Sequence, residues 1–83
     1  MVENFATRMK AVRILRGLSI DELSELSGVG IGTINRIERR QLRPGISTIK
    51  KLAGALGVRV DTLLGDNQLS KYKQKLEARY EQN

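Results

Sequence analysis

Residues 19–38 read SIDELSELSGVGIGTINRIE, and this stretch decides the fold. Ser19 stands three residues before Glu22, the spacing at which a serine side chain caps a helix while the glutamate bonds back to the cap's backbone. A helix over 20–27 follows, with Leu23 and Leu26 as its apolar positions. Gly28 stops it, because glycine takes up a positive φ at little cost and lets the chain turn sharply. Only Val29 and Gly30 precede the next helix, expected over 31–39 with Gly30 as an acceptable N-cap. Its inward positions are Ile34 and Ile37, and Ser24 is small enough to let the two helices approach closely. Two short helices joined by a turn of about three to four residues that contains glycine form a helix-turn-helix.

The flanking sequence supplies three more helices and no strand pattern. Phe5, Met9, Val12 and Leu15 or Arg16 follow the spacing of an amphipathic helix over 4–16, closed by Gly17. Leu42, Arg43, Pro44 and Gly45 make a loop. Ser47 and Thr48 stand near the start of a fourth helix, which ends near Leu56 with Ile49, Leu52, Ala53 and Leu56 facing in and Gly57 as its cap. Asp61 is expected to cap a short fifth helix containing Leu63 and Leu64. Residues 1–65 therefore read as one all-α, compact five-helix domain. Residues 66–83 form a separate polar tail, in which Leu69, Tyr72, Leu76 and Tyr80 mark a C-terminal amphipathic helix.

Composition narrows the function classes. The chain has 83 residues, no Cys and no His. Disulfides and thiolate metal sites are thereby excluded, and the commonest general base and metal ligand are missing. An enzyme, a metal site or a cofactor is not expected. The acidic group Asp21, Glu22 and Glu25 sits at a helix start, where the macrodipole favours acids. Net charge is +6 with a pI near 10.2, and the excess lies almost wholly in residues 1–65. A basic small domain suits nucleic acid or an anionic surface. No apolar run approaches the roughly 20 residues of a membrane span. The first residues lack the basic and apolar regions of a signal peptide, so a cytoplasmic location is expected.

The third helix is the chemically informative element. Its outer face carries Thr33, Asn35, Arg36 and Arg39, and an α-helix fits the B-DNA major groove with its N-terminal residues at base edges. Arg36 has the planar fork that matches O6 and N7 of guanine, Asn35 suits adenine, and Thr33 and Ile31 suit a thymine methyl. Gly32 reads no base with a side chain but lets backbone come close. Arg39, Arg40 and Arg43 are candidate phosphate contacts, as is Ser19 beside its capping role.

The sequence resembles the Xre/Cro-repressor helix-turn-helix family. The residues that carry the likeness are Arg13, Gly17–Ser19, Asp21–Leu23, Gly28-Val29, Thr33–Glu38, Arg43-Pro44, Leu52-Ala53, Ala55–Val58 and Asp61 with Leu63-Leu64. The resemblance covers about residues 5–65 and implies a lambda-repressor-like bundle of five helices. It further implies that the third helix enters the major groove, that a dimer binds a palindromic operator in double-stranded DNA, and that Arg13 and Glu38 form a structural salt bridge. The sequence departs from the family at Ile20, where glutamine is common, at Gly30, and at Ile31 and Gly32, where longer polar residues are common. At Arg40 the family often has the glycine that ends the third helix, so that end is expected to differ.

A transcriptional regulator, most simply a repressor, is the first functional expectation. The alternative is an antitoxin or other interaction module whose tail holds a partner protein. Dimerisation is expected on physical grounds, because one recognition helix reads too few base pairs to mark one site in a genome. Two surfaces are candidates: the fifth-helix region with Val58, Val60, Leu63 and Leu64, and the tail stripe of Leu69, Tyr72, Leu76 and Tyr80.

Overall fold

A computed structural model describes residues 4–65 of the chain. The helices are α1 (Phe5–Leu15), α2 (Ile20–Ser27), α3 (Ile31–Glu38), α4 (Ile46–Leu56) and a fifth, α5, over residues 60–65. The fold is all-α and lambda-repressor-like. The tail stripe of residues 69–80 lies outside the described residues.

Local chemistry sets the boundaries. The Asn4 side chain accepts from Thr7 N–H at 3.0 Å and caps α1. Ser19 and Glu22 form a reciprocal capping box, each side chain accepting from the other's backbone N–H at 3.0 Å. The Ser19 backbone N–H, and after it the Ser19 side chain, hydrogen-bond the Glu22 carboxyl and hold it below its ordinary range. Gly28 adopts φ +75°, and the turn it begins is tied by the Ser24 hydroxyl donating to the Val29 carbonyl at 2.6 Å. Ser24 is thus a hydrogen-bond donor across the turn as well as a small residue within it.

The core gathers residues from every helix: Phe5 and Met9 of α1, Leu23 of α2, Ile34 and Ile37 of α3, Ile49, Leu52, Ala53 and Leu56 of α4, and Leu63 and Leu64 of α5. Val29 joins them as a plug in the turn between α2 and α3. Each fully buried side chain of this size contributes about 1.5–3 kcal/mol relative to an exposed one. Arg8 of α1 donates to the Thr62 carbonyl at 3.3 Å and holds the end of α5.

Four expectations need correction. Leu15 is 84% exposed: α1 ends at this residue, and Leu18, beyond the turn, packs on the core instead. Leu26 is 62% exposed, because the inner face of two-turn α2 belongs to Ile20, Leu23 and Ser24. Packing Ile20 against the core also explains an apolar residue where the family often has glutamine. Asp61 does not cap α5. The helix begins one residue earlier, and Asp61 sits in its first turn, paired with Arg59 at 3.3 Å. Finally, Leu63 has no exposed surface, so it packs inside its own chain.

The end of α3 keeps the expected backbone shape by an unexpected residue. Arg40 N–H donates to the Ile37 carbonyl at 3.0 Å and Gln41 N–H to the Arg36 carbonyl at 2.8 Å. This is a Schellman turn, and Arg40 occupies its left-handed position with φ +62°. The left-handed conformation costs a side-chain-bearing residue about 1–2 kcal/mol.

Candidate nucleic-acid interface

With Ile34 and Ile37 buried at 0% and 1% exposure, the opposite side of α3 is fixed as its outer face. Gly32, Arg36 and Arg39 are exposed there, with Asn35 half-buried beside them. Their numbers differ by three, four and seven, so they form one stripe along the helix. Ile31 is 51% exposed at the N-terminal end, and Thr33 is half-buried at the edge of the stripe. A side chain added at Gly32 would meet nothing within 4 Å. Gly30 caps the helix without a side-chain bond, so this end of α3 is slim and open.

Positive charge flanks the stripe. Arg39, Arg40 and Arg43 are exposed. Pro44 beside Arg43 is buried, which anchors the loop that carries the arginine. Ser19 is exposed at the start of α2, with its side chain engaged in the cap.

One buried ion pair holds α3 to the scaffold. Arg13 Nε donates to Glu38 Oε2 at 2.7 Å and Nη2 to Oε1 at 2.9 Å. Arg13 Nη1 donates to the Leu18 carbonyl at 2.8 Å. Only 12% of the Arg13 side chain and 6% of the Glu38 side chain are exposed. The hydrogen bonds to Glu38 push the Arg13 guanidinium further up, against the opposing effect of burial. Arg13 therefore ties together α1, the last residue of α3 and the connection into α2.

Sequence reasoning missed three contributions, two of them from residues it had already placed at the turn. Ser24 and Val29 brace the turn as described. The third is Thr7, whose hydroxyl accepts from Arg40 Nη2 at 2.9 Å. A positive-φ position filled by a long side chain was the available signal, since such a residue needs an anchor. Among the described residues, no helix is long and apolar enough to cross a membrane.

Two short helices at a tight turn, a slim outward stripe and flanking arginines define a helix-turn-helix domain. Residues 9–63 match the family HTH_3, described as helix-turn-helix. The chain belongs to this family of DNA-binding transcriptional regulators. It is 36% identical over 67 residues to the immunity repressor protein of Bacillus phage phi105, covering 81% of this chain and 46% of that one. It is 35% identical over 75 residues to the HTH-type transcriptional regulator SinR of Bacillus subtilis, covering 89% and 68%. The chain thus spans about half the length of the first of these relatives. Among solved structures, the P22 c2 repressor in complex with synthetic operator 9T superposes with a TM-score of 0.70 at 25% identity, covering 76% of this chain and 96% of that one.

Proposed function

We propose that this chain is a sequence-specific double-stranded DNA-binding protein that acts as a cytoplasmic homodimer on a palindromic operator and represses transcription. The stripe of Gly32, Asn35, Arg36 and Arg39 on the one exposed face of α3 carries this reading. Arg36 reads a guanine, Asn35 an adenine, and Ile31 and Thr33 thymine methyl groups, while Gly32 lets the backbone approach the groove. Ser19, Arg39 and Arg43 hold phosphates, and Arg40 adds charge to the same flank. The operator bound in the P22 c2 repressor structure and the name of the phi105 immunity repressor support the choice of DNA and of repression. With Leu63 buried, the tail stripe of Leu69, Tyr72, Leu76 and Tyr80 is the proposed dimer surface.

A footprint on the DNA flanking the chain's own gene tests this. The expected protection is a two-fold repeat whose half-sites lie about 34 Å apart, one helical turn. Equal affinity for random DNA, or protection of a lone half-site, overturns it. Within the same reading, Arg43→Ala is expected to weaken specific and random DNA alike. It should also lower the slope of log affinity against log salt by about one unit. An unchanged slope in a salt titration removes Arg43 from the interface.

A further inference from the structure

Arg40 is the one described residue other than glycine with a positive φ, at +62°. Gly17, Gly28, Gly57 and Gly65 fill the other such positions. Glycine would sit there without strain, so the arginine's presence points to work done by its side chain. That side chain reaches back to α1, where Nη2 donates to Thr7 Oγ1 at 2.9 Å. The Thr7 hydroxyl has one proton to give, and it lies 3.2 Å from Asn4 Oδ1. The same Asn4 oxygen accepts Thr7 N–H and caps α1. Arg40, Thr7 and Asn4 thus form a relay from the end of α3 to the start of α1.

The relay acts on a turn that matters for recognition. The Schellman bonds at Arg40 and Gln41 close on the carbonyls of Ile37 and Arg36. Arg36 lies just before this turn on the outer stripe, and Arg43 lies just after it. A guanidinium fixed to Thr7 therefore fixes the piece of backbone from which both arginines project. We propose that Arg40 and Thr7 are positioning residues for DNA recognition: their hydrogen bond locks the last turn of α3 against the α1 N-cap, so that Arg36 and Arg43 meet DNA in one preset geometry. This rests on the reading of α3 as the recognition helix. It gives Thr7, which lies on another helix, a part in DNA affinity.

The test is a double-mutant cycle on the full chain, reading operator affinity, its salt slope and the melting temperature. Thr7→Val and Arg40→Gly are each expected to weaken operator binding by about three- to tenfold, and the double variant no further, because both remove one interaction. Thr7→Ser, which keeps the hydroxyl, retains parental affinity. Thr7→Val keeps the parental salt slope, and Arg40→Gly melts no lower than the parent because glycine relieves the strained φ. Several results overturn the proposal: parental affinity in Thr7→Val, additive losses, or losses that track a falling melting temperature. A slope about one unit lower in Arg40→Gly with Thr7→Val silent also overturns it, and makes Arg40 a direct phosphate contact. A parent chain that does not prefer its operator to random DNA overturns the DNA reading itself. A specific parent with silent variants overturns only the positioning role.

Discussion

Replacing Glu38 with alanine is expected to lower the stability of the domain by about 3–5 kcal/mol, the usual consequence of stranding one partner of a buried pair. Arg13 would keep its bond to the Leu18 carbonyl but lose two charge-assisted hydrogen bonds to the carboxylate. An arginine cannot relieve this by giving up its proton, and the pair is too enclosed for salt to screen it well. In a domain of this size each kcal/mol moves the melting temperature by about 4–8 °C, so thermal unfolding should show a fall of at least ~10 °C. A melting temperature like the parent's would refute a structural role for the pair. The companion change of Arg13→Met with Glu38→Leu should recover most of the loss, because apolar replacement of both partners is often neutral or better. That contrast separates the cost of a stranded charge from the value of the pair.

Arg36→Ala is expected to act on DNA and leave the fold alone. Arg36 is exposed, and alanine is the best helix former, so thermal unfolding should match the parent. Affinity for the specific site should fall by about 1–3 kcal/mol, with preference relaxed at one position per half-site and little change on random DNA. Binding measured against a panel of operators with single base changes resolves this. Equal losses on specific and random DNA would reduce Arg36 to a phosphate contact.

Much of this architecture was legible in residues 19–38. The bounds of α2 follow from Ser19, Glu22 and Gly28, because caps and turn glycines are local signals that need no tertiary context. The inward positions of α3 and α4 follow from periodicity for the same reason. Periodicity failed at Leu15 and Leu26, which lie in the last turns of short helices. There the next segment, and not the helix's own pattern, decides what is covered. The Asp61 cap failed because the backbone that enters α5 from Arg59 starts the helix one residue early. The hydrogen bond from Arg40 to Thr7 joins residues 33 positions apart, and no local rule pairs them. Family likeness pointed to a different end for α3. The backbone is in fact the familiar one, and the novelty lies in what the side chain reaches.

Gly32 has a consequence for how such a domain changes over time. It lies on the outer face of α3, and nothing stands within 4 Å of the place a side chain would start. A new residue there needs no rearrangement of the core, and replacing a glycine inside a helix favours the helix by about 0.5–1 kcal/mol. Most ways of gaining a new binding preference spend stability. At this position a side chain could be added while the fold becomes firmer, so the domain can exchange the close backbone approach proposed for Gly32 for a new surface group at no expense to the core.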